Sequence, residues 1–437
     1  MEFVGIDIGT SSICGVLYNP STREIKSRRV DNTTAIVSEY NWEKIQDAGQ
    51  IVSIVMDIVN GFVTNYPDIG GIGVTGQMHG ILYIGEEGRS VSPLYTWQDY
   101  RGNLIYQNLE TYAQYLSNKS AYPLSPGFGL VTHYYNIVNG LVPADASKLC
   151  TIMDYVVMKL TGNTAPITDD TNGAGLGFFD LQQLQFDKEA LQRVGIDPEI
   201  LPELKDSGSR VGYYNHIPVF AALGDNQASF IGSVQDKDSS IHITIGTSSQ
   251  ISVYSEAYVS VKGLDTRPFP GGGYILVGAG LSGGQSLEIL KRFFEKSIKL
   301  FAKDKDTEIG FYEVLNSFSP AGANRHELMV HTLFNGTRLD PFAKGSILQI
   351  SADNFNPENL MLGFVQGICR ELHDFYTAVP DYLKNNKVRI VGSGNALEKN
   401  KLLGSVLEKT FGLPVQRSPY SEEAALGAAF LAMQGHE

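Results

Sequence analysis

Residues 6–12 read IDIGTSS and residues 243–249 read ITIGTSS, so six of seven positions agree across more than half the chain. A match of that length at that separation marks an internal duplication. Each copy follows an apolar, β-like run and leads into another, CGVLYNP after the first and QISVYSE after the second. Each therefore reads as a tight β-hairpin whose turn carries Gly-Thr-Ser. Such a turn aims backbone N–H groups and hydroxyls into one concavity, which suits a phosphate. The one mismatch sets Asp7 against Thr244. Two matched phosphate clamps are expected, with a divalent cation organised on the Asp7 side.

Around these landmarks the chain divides into two halves of similar order. In the first, the hairpin and a third strand near Glu24–Asp31 precede DAGQIVSIVMDIVNGFVT, residues 47–64, whose apolar positions fall at helical spacing; a strand over Gly71–Thr75 follows. In the second, strands are predicted at Ile241–Thr244, Gln250–Tyr254 and Tyr274–Val277, then a helix over Gly284–Phe294. Further helices are predicted over Leu360–Ala378 and Leu397–Phe411, with a strand at Val388–Val391 between them. The glycine- and proline-containing stretch Ser207–Pro218 supplies the boundary, giving an N-terminal domain over 1–217 and a C-terminal one over 218–437.

Composition excludes several classes. The chain has 437 residues, 46 of them glycine, and its 34 basic and 47 acidic residues leave a net charge of −13. That field opposes nucleic acids and anionic membranes, so an anionic ligand must be held locally, by backbone donors or a metal. The glycines gather at the ends of apolar runs, as in GGIGVTGQMHG, GGGYILVGAGLSGG and RIVGSGNA, where a backbone can approach such a ligand. Three cysteines, Cys14, Cys150 and Cys369, form no CxxC pair, which argues against a disulfide framework or a thiolate zinc site and for a reducing cytosol. The start, MEFVGIDIGT, has no basic n-region and no apolar run approaches about 18 residues, so neither secretion nor a membrane-spanning helix is expected.

Asp225, in GDNQAS after the apolar run Pro218–Leu223, is either a helix cap or a general base, since phosphorylating a hydroxyl needs a carboxylate within reach of the departing proton. Gln77, Met78 and His79, between Gly76 and Gly80, form either a surface turn or one wall of a polyol pocket. Trp97 and Asp99, in TWQD, supply a second candidate wall: a flat apolar face beside hydrogen-bonding groups. Gly127-Phe128-Gly129, with Tyr122 before it, would close that pocket. Gly392-Ser393-Gly394-Asn395 is either an ordinary strand-to-helix turn or a place where a nucleotide lies on the backbone. Ser421 reads as the cap of a packing helix, AALGAAFLAM.

Other patterns are set aside. No GxxxxGK[ST] occurs, which excludes a P-loop, and His326-Glu327 with His331 misses the i, i+4 spacing of a zinc-binding helix by one residue. Gly280-Leu281-Ser282-Gly283-Gly284 satisfies GxSxG, so a hydrolase with Ser282 as nucleophile is the main rival from another enzyme class. It would leave both GTSS hairpins unexplained. Asn32, Asn118 and Asn335 match the glycosylation pattern, which a cytosolic protein does not use.

Taken in series, IDIGTSS with its echo, GVTGQMHG, TWQD, GDNQAS and VGSGNALEKN resemble the FGGY carbohydrate kinases over essentially the whole chain. The resemblance implies a two-domain α/β architecture, a duplicated ribonuclease-H-like fold of the actin and hexokinase type, with an active-site cleft between the domains. QMHG is similar to the sugar wall of xylulokinases and sedoheptulokinases; TWQD, GFG and GSGNAL look more like the sedoheptulokinase branch. The implied activity is ATP-dependent phosphorylation of the terminal hydroxyl of a ketose, sedoheptulose to its 7-phosphate, with xylulose or another sugar or polyol as the alternative. By the same resemblance Asp225 is the catalytic base, and Gln77, Met78, His79, Trp97, Asp99 and Asp225 hold the ketose. Gly9, Thr10, Ser11 and Ser12 form one phosphate hairpin and Gly246, Thr247 and Ser248 the other. Gly283 and Gly284 lie near the nucleotide phosphates or ribose; Gly392, Ser393, Gly394 and Asn395 line the adenosine pocket. Asp7 organises Mg²⁺ through water. Ser393 is a departure, since many relatives carry a third glycine there, and the chain is short for the family. The expected partners are a small-molecule ketose and ATP, with no nucleic acid and no membrane, for a cytoplasmic monomer or homodimer. An actin- or chaperone-like ATP switch is the remaining alternative, opposed by the sugar-wall motifs.

Overall fold

The structure is a computed structural model that describes residues 1–301, 310–318, 328–338, 340, 342–420 and 422–436. Ser421, His326 and Glu327 lie outside the described residues. The chain forms two compact units: Met1–Gly232 with Arg267–Gly273 and Tyr420–Glu437, and Ser233–Thr266 with Tyr274–Pro419.

In the first unit, β1 (Glu2–Ile8), β2 (Ser12–Asn19) and β3 (Glu24–Asp31) form an antiparallel meander, and β4 (Ile69–Gly76) joins β1 in parallel. With β5 (Arg210–Tyr214) and β6 (Ile217–Phe220) the order is β5-β6-β4-β1-β2-β3, and the short β7 (Leu223–Gly224) also pairs with β4. β1 and β4 are buried along nearly their whole length, as a sheet covered on both faces requires. The helix Ala48–Asn65 opens on Asp47, whose side chain accepts from Gln50 N, and its stripe of Ile51, Val55, Ile58 and Phe62 packs into the core that holds Val4, Ile6 and Val74. The helix Glu423–His436 lies on β1 and β4. It approaches closely because Gly5 and Gly73 are paired across those strands; a Cβ on either would run into the carbonyl of Ala425 or Ala428. The same helix meets the helix Asp225–Ser233 where Gly427 and Gly232 leave room for its backbone.

The boundary expected at 217/218 therefore falls inside the first unit. Ser207–Pro218 is no linker: Tyr214 pairs with Ile217, and Asn215 and His216 both adopt left-handed backbone, the signature of a two-residue hairpin turn. The C-terminal helix, counted from the sequence with the second half, packs within the first compact unit.

The second unit repeats the plan. β8 (Ser240–Ile245) and β9 (Ser249–Ser255) form the hairpin, β10 (Asp265–Pro268) and β11 (Tyr274–Gly280) lie beyond β9, and β12 (Arg389–Ser393) and β13 (Val415–Arg417) lie beyond β8. The order is β10-β11-β9-β8-β12-β13. Pairings around the hairpin match those of the first sheet: antiparallel to its partner, antiparallel to a third strand, parallel to a fourth. The helices Gly283–Phe301, Pro357–Ala378 and Lys401–Phe411 set Leu287, Ile368 and Leu403 in one core with Ile241, Ile243 and Ile251. The helix expected over Leu397–Phe411 is two, Asn395–Lys399 and Lys401–Phe411, because Asn400 caps the second through Leu403 N.

Candidate active site

β1, β4 and β7 run parallel and end in register: Ile8 pairs with Gly76, and Gly76 with Gly224. One motif follows each strand end: Gly9–Ser12, Gln77–His79 and Asp225. Carboxyl ends of parallel strands are where α/β sheets gather ligands.

The first hairpin is braced by side chains. Asn32 Nδ2 donates to Gly9 O at 2.8 Å and Gln46 Nε2 to Thr10 O at 3.0 Å. The Thr10 hydroxyl accepts from Trp97 Nε1 at 2.9 Å and donates to Gln77 Oε1 at 3.3 Å, and Gln77 Nε2 donates to Gln46 Oε1 at 2.8 Å. Tying the turn's carbonyls into these bonds removes acceptors that would repel an anion. Asn32 and Gln46 escaped the sequence reading, and no local pattern marks them.

Three predicted wall elements do come together. Trp97 is 45% exposed; the His79 ring stacks on Phe128 with centroids 4.8 Å apart, and His79 Nδ1 lies 2.7 Å from Gly175 O. His79 also adopts a left-handed backbone (φ 74°), uncommon for a residue with a Cβ. Gly127 sits so close to the Trp97 carbonyl that no side chain fits there. The other predicted sugar ligands turn inward. Gln77 and Met78 are buried. Asp99 has no exposed surface, and its four lone-pair sites accept four bonds: from Arg101 N and Nε, from Arg101 Nη2 and from Lys44 N. It anchors the loop and leaves nothing for a sugar. Its partner Arg101 is 1% exposed, donates to Asn136 Oδ1 at 2.6 Å and Glu43 Oε1 at 3.1 Å, and lies 4.2 Å from the Tyr95 ring centre. The spacing Asp-x-Arg was the available signal.

Asp225 opens the helix Asp225–Ser233 and accepts from Asn226 Nδ2 at 2.7 Å, while Arg267 Nη1 donates to Asn226 Oδ1 at 2.9 Å. Burial raises its pKa, and Asn226 and Arg267 oppose the rise. Asp7 is pushed up to about 7 by burial, then by Asp225 and Glu422, with Arg29 opposing. A half-buried carboxylate crowded by two others fits a cation. Among the described residues no cluster of three or more histidine, cysteine, aspartate or glutamate side chains could cage a metal. The donors thus fit a Mg²⁺ that keeps its waters and phosphate oxygens and takes one protein carboxylate, Asp7.

In the second hairpin the turn is Gly246–Ser248, with Thr247 and Ser248 exposed. Its carbonyls cap a helix: Gly284 N donates to Gly246 O at 2.8 Å and Gln285 N to Thr247 O at 3.0 Å. Gly283 and Gly284 are buried, and a Cβ on either would strike the turn backbone, so their role is close approach of helix to hairpin. Thr244, the counterpart of Asp7, bonds to Ser393 Oγ at 2.9 Å, and Ser393 Oγ lies 3.1 Å from His242 Nε2. Burial lowers the His242 pKa to about 4, so this network is neutral. Ser393 is therefore buried, and Gly392 is buried too, making room for Leu397. Of the predicted adenosine-lining residues, Gly394 is half-buried and Asn395 exposed. Ser282 is 1% exposed and its hydroxyl accepts from Asn335 N at 3.2 Å, a poor setting for a nucleophile.

The N-terminal domain of the FGGY family of carbohydrate kinases matches residues 3–241, and the C-terminal domain of that family matches residues 241–435. The chain belongs to the FGGY family of carbohydrate kinases. It is 28% identical to sedoheptulokinase from Mus musculus over 99% of this chain and 97% of that protein, and 26% identical to xylulose kinase from Staphylococcus xylosus over 99% and 91%. The solved, ligand-bound xylulose kinase from Lactobacillus acidophilus shares the fold, with a TM-score of 0.84 over 99% of this chain and 89% of that one at 22% identity. Within this FGGY kinase a groove of the first unit, about 1010 Å³, is lined by Lys148, Pro166, Asp187 and Glu203 and includes none of the residues above. The strand ends, with their convergent chemistry, are the better site. Among the described residues no helix is long and apolar enough to cross a membrane.

Proposed function

We propose that this FGGY kinase transfers the γ-phosphoryl group of ATP to the terminal hydroxyl of a ketose, with sedoheptulose as acceptor and its 7-phosphate as product. The observation that carries this reading is the in-register ending of β1, β4 and β7, which brings Gly9–Ser12, Gln77–His79 and Asp225 to neighbouring strand ends. Asp225 takes the hydroxyl proton as the oxygen attacks the γ-phosphorus in line. Burial lifts its pKa toward the working range of a base, and Asn226 with Arg267 favours the ionised form that can accept. Trp97 and His79 orient the sugar against their ring faces. Turn amides of Gly9–Ser12 and Gly246–Ser248 receive phosphate oxygens, and transfer depends chiefly on positioning and electrostatics. Mg²⁺, held from Asp7 through water, would neutralise phosphate charge. Sedoheptulose is favoured over xylulose by the TWQD loop and by the full-length likeness to sedoheptulokinase.

ADP release measured with sedoheptulose, xylulose, ribulose and glycerol tests the reading. Sedoheptulose should give the highest kcat/KM, and Asp225→Asn should lower kcat by roughly 10²- to 10⁴-fold with the fold intact. A preference for xylulose would move the substrate within the family, and ATP hydrolysis indifferent to sugar would replace the kinase reading with that of a switch.

A further inference from the structure

Asp225 follows a two-residue strand, β7, which pairs only with β4 among the described residues. Three consecutive residues leading to Asp225 have a backbone polar group bound by a side chain. Ala222 O accepts from Asn172 Nδ2 at 2.9 Å, Leu223 O accepts from Thr75 Oγ1 at 2.8 Å, and Gly224 N donates to Thr171 Oγ1 at 2.7 Å. Thr171 and Asn172 lie in the first turn of the helix Asp170–Leu176, capped by Asp169. The Thr171 hydroxyl donates to the Asp169 carboxylate at 2.8 Å, which also accepts from Asn172 N at 2.9 Å and from Ser207 Oγ. Thr75, Asp169, Thr171 and Asn172 are all buried, so water does not compete for these bonds. A hydroxyl has one proton; Asp169 receives it, which leaves a lone pair for the Gly224 N–H and fixes the direction of that bond. Gly224 is boxed in from another side as well, since a Cβ there would meet Met78 and Gln227.

We propose that Thr171, oriented by Asp169, is a positioning residue for Asp225: through Gly224 N it fixes, together with Thr75 on Leu223 O, the Leu223–Gly224 peptide unit one residue before the carboxylate. The inference rests on reading Asp225 as the base. A hydroxyl that merely filled space would be replaceable by a methyl group of the same shape. One that sets geometry would not, because a misplacement of about 1 Å at the reacting group costs up to roughly 10²-fold in rate.

The test compares Thr171→Ser, Thr171→Val and Asp225→Asn in the full chain, using ADP release against the best sugar. Thr171→Ser keeps the hydroxyl and should retain kcat within about threefold, whereas Thr171→Val should lose roughly 10- to 100-fold in kcat with KM for sugar and ATP within about threefold. The limb of the kcat–pH profile that titrates Asp225 should move in the valine variant. An active Thr171→Val beside an inactive Asp225→Asn overturns the inference and spares the base; a near-native Asp225→Asn overturns the base, and the inference with it. Should Thr171→Val fail to fold, Asp169→Asn carries the test, since an amide presents a donor to the threonine hydroxyl and disturbs its orientation. Its expected loss in kcat is about tenfold, and unchanged kcat refutes the proposal.

Discussion

The two GTSS hairpins are nearly identical in sequence and differ in structure. In the first, Ile8 pairs with Ile13 and the loop has four residues; in the second, Ile245 pairs with Ser249 and the loop has three. That slip of one residue exchanges faces: Asp7 sits opposite Cys14, whereas Thr244 sits opposite Gln250, the counterpart of Ile13. The braces differ too. Side chains of Asn32 and Gln46 hold the first turn's carbonyls, while the start of a helix holds the second's. Identical turn residues thus take their register from what packs behind them. The first loop is tied to Trp97 and Gln77 through Thr10, and the second is built into a helix terminus.

The strongest way to break this contrast is to exchange the one residue that distinguishes the repeats. Asp7→Asn should lower kcat by about 10²- to 10³-fold in an ADP-release assay, while Thr244→Val should cost less than about tenfold. Equal losses would mean that both hairpins do the same work. The braces give a sharper but smaller test. Gly284→Ala, whose Cβ would strike Gly246, should raise KM for ATP by about tenfold and spare KM for sugar, whereas Asn32→Ala should affect both by a few-fold. Steady-state kinetics with each substrate varied would show the hairpins to be equivalent if the two patterns coincide.

The smallest effect concerns pH. The first unit buries carboxylates: burial lifts Asp154 to about 7 and Asp169 to about 6. The second buries His242, lowered to about 4. A carboxylate raised on folding contributes stability that is complete below its ordinary value near 4 and is lost as pH climbs to 7; a lowered histidine contributes above its ordinary 6.5 and loses that as pH falls toward 4. These groups therefore pull in opposite directions. Asp154→Asn keeps an acceptor for Thr151 N and should raise the melting temperature by about 2–5 °C at pH 8, with a smaller gain at pH 5. A gain of the same size at both values would remove the charge from the explanation.

The helix from Ala48 and the strands around both hairpins were legible because apolar spacing reports burial directly. The site was less so, because a side chain's type does not say which way it points. TWQD drew attention to a loop in which Trp97 is exposed, yet Asp99 faces Arg101, and only the pairing two residues on hinted at it. Gly392 and Ser393 suit turns as residue types, which leaves a strand-to-helix turn or a nucleotide loop open; both lie in β12, paired with Ile243 and Thr244, and the bare Gly392 makes room for Leu397. Asn32, Gln46 and Thr171 act on backbone groups 23, 36 and 53 residues away, beyond the reach of any periodicity. The stretch expected to be a linker is a hairpin, since Asn215-His216 joins two paired strands.

The return of the helix Glu423–His436 to β1 has a consequence for biosynthesis. The residues that cover one face of the first sheet leave the ribosome only after the second unit. Until then Gly5 and Gly73 line an uncovered channel, and the N-terminal segment cannot complete its own core. The first unit thus has a very long loop to close before its native contacts form. A fragment ending at residue 241, where the family's N-terminal domain ends, would carry that uncovered face permanently and should aggregate when expressed alone.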